Sequence, residues 1–167
     1  MQIRLLTPAD ADAYFSLRLA SLREAPTAAW ASVQEEEAMT PAQVAARLAA
    51  GAVEGCFGAF WHGELVGIAS LKHETLRKIR HRANIWGVYI APQARRMGVA
   101  RALVEAIVAH VRQAGGIVQL TLVLGSANLA AALLYASLGF VVTGLDRRST
   151  FIDGQYHDEL RMVRFLD

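Results

Sequence analysis

Arg95, Arg96, Gly98 and Ala100 fall within one short stretch, Arg95-Arg96-Met97-Gly98-Val99-Ala100, where an apolar run hands over to a helical pattern. The chemistry this spacing can do is anion binding. Amides in the first turn of a helix lack intrahelical acceptors, and the aligned peptide dipoles leave partial positive charge there. Gly98 allows a ligand to approach the backbone, the two arginines add charge, and Ala100 is too small to obstruct. Such a helix start suits a pyrophosphate. A plainer reading of the same residues also stands: the arginines solvate a helix start and Gly98 relieves crowding. Two familiar phosphate patterns are missing, the glycine-rich loop ending in Gly-Lys-Ser/Thr and the three-glycine dinucleotide fingerprint. Their absence disfavours a nucleotide triphosphatase or a nicotinamide enzyme.

The elements that position this turn follow from periodicity and punctuation. Residues 83–91 read as a strand closed by Pro92, which cannot donate to a sheet ladder. Residues 96–113 read as a helix with Val99, Leu103, Ile107 and Val111 on its packed face. Gly115-Gly116 stops it, and the nearly unbroken branched run 117–124 predicts a central strand covered on both faces. A shorter helix over 128–137 ends at Gly139. Strands over 140–145 and 157–165 then enclose a loop with Arg147, Arg148, Asp153 and Gly154. Upstream, a strand over 3–7 precedes a helix over 10–23 with Ala13, Leu17 and Leu22 on one side. A turn-rich connection from 26 to 40 holds Trp30 and Glu35-Glu36-Glu37. Thr40-Pro41 opens a helix over 42–50. Strands over 54–62 and 65–73 form a hairpin at His62-Gly63-Glu64. Hairpins and crossover helices together predict one α+β domain over residues 1–167, built on a mixed sheet.

Composition bounds the partners. A chain of 167 residues with 54% apolar and 19% charged residues has the balance of a globular domain rather than a disordered segment. Its net charge of +2 is too small to point to nucleic acid. Cys56 is the only cysteine, which excludes an intrachain disulfide and a cysteine-rich metal site. It lies in the apolar run Cys56-Phe57-Gly58-Ala59-Phe60-Trp61, the setting of a packing thiol. Neither a signal peptide nor a membrane-length apolar stretch is expected, so the expected location is cytoplasmic, with no membrane partner.

Two segments together resemble a known family. Arg95-Arg96-Met97-Gly98-Val99-Ala100 matches the Arg/Gln-x-x-Gly-x-Gly/Ala motif of the GNAT superfamily of acyl-CoA-dependent N-acetyltransferases, and Val88-Tyr89-Ile90-Ala91-Pro92 looks like that family's fourth strand. Asn128-Leu129-Ala130-Ala131 through Tyr135-Ala136-Ser137-Leu138-Gly139-Phe140 resembles its Asn-x-x-Ala…Tyr-x-x-x-Gly-Phe segment. The element order extends the resemblance over nearly the whole chain, more weakly before residue 54.

The resemblance implies a three-layer fold with a central mixed, splayed β-sheet flanked by helices, and acetyl-CoA as cosubstrate with no metal. It implies that the amides of Arg95, Arg96, Met97, Gly98, Val99 and Ala100 hold the pyrophosphate. Backbone groups of Val88, Tyr89 and Ile90 would meet the pantetheine arm where two strands part. Asn128 would contact the cofactor, and Tyr135 would protonate the departing thiolate. Asn128 also reads as a helix cap, and Tyr135 as a core aromatic. The implied reaction is direct attack of a primary amine, free or at a peptide N-terminus, in a ternary complex. A homodimer is compatible with the sequence, although no residue pattern marks its interface.

On the acceptor side the sequence departs from the family. Members often carry a catalytic glutamate on the fourth strand, and residues 83–91 contain none. His73, Glu74 and His81 border the polar connection before that strand; Glu74 and His81 are the candidate bases, and His81 has the useful pKa range. Glu35, Glu36, Glu37, Asp153, Asp158 and Glu159 can attract a cationic amine, with Glu35, Glu36 and Tyr156 as candidate cleft residues. The missing glutamate keeps a second reading open: a non-catalytic acyl-CoA-binding or interaction protein with the same fold.

Overall fold

Cys56 and Phe57, neighbours in strand β2 (Gly55–Trp61), point to opposite sides of a sheet and start the two halves of the core. The computed structural model describes residues 1–49, 51 and 53–166. Among these the sheet has seven strands in the order β1-β2-β3-β4-β5-β7-β6. They are β1 (Gln2–Leu5), β2, β3 (Glu64–His73), β4 (Arg82–Ile90), β5 (Gln119–Gly125), β6 (Val141–Ile152) and β7 (Gln155–Phe165). On the Phe57 side packs α4 (Val99–Ala114), whose Val99, Leu103, Ile107 and Val111 are all buried as the spacing predicts, together with Tyr135 of α5 (Leu129–Ser137). On the Cys56 side lie α1 (Ala11–Glu24) and α3 (Pro41–Leu48), contributing Tyr14, Val44 and Leu48. Helix, sheet and helix make the three layers expected of an α+β fold.

The pairing of β4 with β5 positions the site. These strands run parallel and are paired only through Arg82–Gln119, Ala83–Leu120 and Asn84–Thr121. Beyond Asn84 they diverge, leaving one edge of β4 without a strand neighbour among the described residues. The other edge carries a bulge: Ser70 pairs with Trp86 and Ile68 with Tyr89, so Gly87 and Val88 together face Ala69. Gly87 takes φ +62°, which a side chain would strain. Splay and bulge thus fall at the same height on the sheet.

Several expectations change. Helix α1 buries Tyr14, Arg18, Ser21 and Leu22, and Ala13 is exposed, because its packed stripe contains an arginine that an apolar count passes over. Helix α4 starts at Val99, not at residue 96, since positive φ at Arg96 (63°) and Gly98 (79°) keeps that turn out of the helix. Strand β5 is buried on one face only; Val123, on the other, borders a cavity. The expected loop after residue 145 is instead a long hairpin of β6 and β7 turning at Asp153-Gly154. A short helix, α2 (Val33–Glu37), interrupts the connection after α1, capped reciprocally by Ser32 and Glu35. Ala50, the expected end of the helix now seen as α3, lies outside the described residues.

Candidate active site

A cleft of about 690 Å³ opens between the end of β4 and the starts of α4 and α5. Val88, Tyr89, Ile90, Arg95, Arg96, Gly98, Val99, Ala100, Asn128 and Tyr135 all line it, as does Arg101, which the sequence reading passed over. The first intrahelical bond of α4 runs from the Ala102 amide to the Gly98 carbonyl, 3.0 Å. The amides of Val99, Ala100 and Arg101 therefore precede the ladder. A Cβ on Gly98 would meet no atom within 4 Å, so no crowding calls for glycine there. Its φ does, and the space before it is the cleft itself.

Arg95 is braced rather than free. Its Nε donates to the Ile90 carbonyl (3.0 Å), its Nη2 pairs with Glu24 (2.6 Å), and its guanidinium stands 5.6 Å from the centre of the Tyr89 ring. Tyr89 donates its hydroxyl to the same Glu24 at 2.5 Å. These bonds, the tyrosine's first, hold the Glu24 carboxyl below its ordinary range. The Ile90 carbonyl is thereby taken, which leaves fewer backbone groups on the open edge of β4 than the sequence reading expected. Three arginines, with Glu24 on Arg95 and Glu105 on Arg101 as partners, still leave this end of the cleft positively charged and suited to a polyanion.

Deeper in, Tyr135 is 7% exposed and packs edge-on against Phe140, with ring centres 5.7 Å apart. Desolvation pushes its hydroxyl up to about 12. Core aromatic and cleft residue are both its roles. Asn128 likewise combines two: its Oδ1 caps α5 by accepting from the Ala131 amide (3.1 Å), and it borders the cleft.

A second cavity, of about 380 Å³, lies in the gap between β4 and β5 and ends at Gly87, next to Val88 of the first. Its walls carry Arg18, Glu36, Arg47, Trp30, Trp86 and Glu159. Glu159, 4% exposed, accepts from Trp30 Nε1 at 3.0 and 3.1 Å and from the Ser149 hydroxyl. Glu36, 2% exposed, takes Arg18 Nε on one oxygen (3.4 Å) and Arg47 Nη1 on the other.

The acetyltransferase (GNAT) family model matches residues 19–140, most of the chain. The chain belongs to the GNAT family. Solved structures agree on the fold. A GNAT-family acetyltransferase from Streptococcus pneumoniae superposes with a TM-score of 0.86 at 23% identity, covering 99% of both chains. A phosphinothricin acetyltransferase from Sinorhizobium meliloti, solved with acetyl-CoA, gives 0.85 at 25% identity, covering 99% of this chain and 88% of that one. A putative acetyltransferase from Salmonella typhimurium, also solved with acetyl-CoA, gives 0.82 at 22%, covering 100% and 94%. Among curated proteins none matches this chain in sequence.

As a GNAT-family chain the protein departs from the sequence reading mainly on the acceptor side. His81 and Glu74 border neither cavity. They stand at the start of β4, where the Glu74 amide donates to the Arg82 carbonyl and the His81 carbonyl accepts from Val118. At about 3.3 Å per strand residue that end is roughly 20 Å from Val88, too far for a proton relay side chain. Glu35 is exposed and spent on capping, its carboxylate accepting from the Ser32 amide and hydroxyl at 2.7 and 2.8 Å. Tyr156 is 61% exposed on the β6–β7 hairpin, against Phe151 and Arg148. Met97 is exposed and turns outward. Of the three candidate acceptor residues only Glu36 reaches the cavity, where arginines hold both its oxygens. The rest of that cavity's wall includes Arg18, Trp30, Arg47, Trp86 and Glu159. Among the described residues no three potential ligands gather for a metal ion.

Proposed function

We propose that this GNAT-family protein transfers the acetyl group of acetyl-CoA to a primary amine by direct attack in a ternary complex. The observation that carries this reading is the meeting of two cavities at the β4 bulge, with Val88 bordering one and Gly87 the other. Acetyl-CoA supplies an acetyl group already activated as a thioester. The amides of Val99, Ala100 and Arg101, with Arg96, would hold its pyrophosphate, and the free edge of β4 its pantetheine arm.

The amine reaches the reacting carbon from the second cavity. Glu159 would hold it as an ammonium and take one of its protons, after which the uncharged nitrogen forms the new C–N bond as the C–S bond breaks and sheds its second proton toward the departing thiolate. A backbone amide at Val88 or Tyr89 would steady the charge developing on the carbonyl oxygen. Tyr135 then acts differently from a simple acid. Passing a proton from a phenol at about 12 to the thiolate of a thiol near about 8.5 runs uphill by about 5 kcal/mol. Its hydroxyl therefore stays protonated and donates a hydrogen bond to the leaving sulfur, and the thiolate's proton comes ultimately from the ammonium.

An amine panel with acetyl-CoA, read by thiol release and product mass together, tests the proposal: thiol and acetylated product must rise together. A second reading rests on β4 itself, which presents Ile85 and Trp86 and no carboxylate beside the gap. A non-catalytic acyl-CoA-binding protein would saturate with the cofactor and release no thiol with any amine.

A further inference from the structure

Arg18 is 5% exposed, yet most of its hydrogen-bonding capacity is unspent. Only its Nε is bonded, to Glu36 at 3.4 Å; neither Nη atom has a partner among the described residues. The free edge of the guanidinium faces the acceptor cavity, Nη1 lying 3.6 Å from where a Cβ on Gly87 would stand. Its plane is fixed from the side by Trp86, whose ring centre is 5.6 Å away, and Arg47 flanks the same ring at 5.9 Å. Glu36 is shared between buried Arg18 and half-buried Arg47, so these three side chains together carry one net positive charge. A buried charge without a counter-ion is costly, and a guanidinium edge with two free donors matches a carboxylate in fork geometry.

The other charged and amide groups on the wall are Lys72, a further cation, with Asn84 and Glu159. Asn84 spends its amide on the carbonyl and hydroxyl oxygens of Thr121, at 3.3 and 3.0 Å. Glu159 is held by Trp30 and Ser149 and, among the described residues, is the only other carboxylate on the wall besides Glu36. One wall thus offers spare cationic donors and another a carboxylate. That is the complement of a zwitterion.

We infer that the acceptor is an amine carrying its own carboxylate close by, in the class of free amino acids, with Arg18 binding the carboxylate and Glu159 the ammonium. This rests on the acetyl-transfer reading for its position in the reaction, but not for the binding itself. Gly87, beside Arg18, is adjacent in sequence to Val88 of the cofactor cleft, about 3.8 Å from Cα to Cα. A carboxylate held there would lie next to the junction of the two cavities. Arg18 is then the residue that discriminates an amino acid from an equally sized amine.

The test uses the full chain with saturating coenzyme A and a panel of common L-amino acids, each beside its primary amide and its decarboxylated amine. Binding is measured by calorimetry and turnover by thiol release. At least one amino acid should bind roughly 30-fold more tightly than its amide and its decarboxylated amine, the worth of a charged hydrogen-bonded pair. In Arg18→Met that preference should fall below about threefold, and Arg18→Lys should keep part of it. Acetyl-CoA affinity and the thermal melt report whether the variants fold, and the panel on the unaltered protein decides the matter even if they do not. Equal binding of acids, amides and amines overturns the inference, as does binding of none while coenzyme A still binds. So does an Arg18→Met variant that slows every amine alike. Selective binding without any thiol release would leave the inference standing and remove the acetyl-transfer reading, so the two fail separately.

Discussion

Trp30 and Glu159 are 129 positions apart in the chain, and the indole Nε1 of one donates to both carboxylate oxygens of the other, at 3.0 and 3.1 Å. The contact ties the connection after α1 to strand β7 on the wall of the second cavity. It also fixes the orientation of the carboxylate that we propose receives the amine's proton.

Replacing that carboxylate should therefore affect the chemical step more than cofactor binding. Glu159→Gln keeps the shape and can still accept from the indole, but it cannot hold a proton. A drop in kcat of about 100-fold is expected, the low end for removal of a general base, with the KM for acetyl-CoA within a factor of about three. Trp30→Phe removes only the orienting bond and should cost roughly tenfold. Steady-state thiol-release kinetics across neutral and mildly alkaline pH check both. An unchanged kcat in Glu159→Gln would assign the proton to another group.

Gly98 provides the corresponding test of the cofactor cleft. Its φ is 79°, and no atom lies within 4 Å of where a Cβ would stand. A side chain there clears the protein but enters the space a pyrophosphate would fill. Gly98→Asn, a residue that accepts the left-handed region, should retain acetyl-CoA affinity better than Gly98→Trp. For Gly98→Trp the affinity is expected to fall by more than about 100-fold, with strain of about 1–2 kcal/mol in the melt. Calorimetric titration with coenzyme A distinguishes loss of binding from loss of fold.

The two deeply buried tyrosines make a prediction about alkaline pH. Burial raises both Tyr14 and Tyr135 to about 12, against about 10 in an unfolded chain. A folded-state value above the unfolded one means that the native state keeps its proton longer. The associated stability is whole below about pH 10 and is lost as pH rises from about 10 through about 12. Each tyrosine accounts for about 3 kcal/mol over that window. Denaturant midpoints should be flat up to about pH 10 and fall steeply above, and Tyr14→Phe should flatten the fall. Phenolate absorbance should show Tyr14 and Tyr135 ionising only as the chain unfolds.

The cofactor cleft and the acceptor cavity differ in how far the sequence reveals them. Residues 95–100 and 128–140 are local segments whose glycine, arginines, cap and tyrosine act within one turn or one helix, so position along the chain already places them at one cleft. The acceptor cavity gathers α1, the segment around Trp30, β4 and β7, and no short spacing encodes that meeting. One signal is legible: Tyr14, Arg18 and Leu22 recur every four residues, an arginine set in a buried stripe. Ser32-Val33-Gln34-Glu35 is also a readable capping box, which places Glu36 on a helix rather than in a loop. With no glutamate in β4, the histidine and the carboxylate nearest in sequence are His81 and Glu74, and these sit at the wrong end of the strand.

Glu36 shows what holds the arginine in place. It is 2% exposed and bonded on both oxygens, so it serves as the counter-ion that keeps two guanidinium groups against Trp86. Removing one partner from a buried charge network strands the others, at a cost of about 3–5 kcal/mol. Glu36→Gln should thus lower the melting temperature by roughly 10 °C in a chain of this size. Removing a positive charge at the same time relieves the imbalance, so Arg47→Met combined with Glu36→Gln should recover part of the loss. Thermal melts of the two single variants and the double variant measure the coupling. Additive losses would mean that Glu36 and Arg47 do not act as a unit.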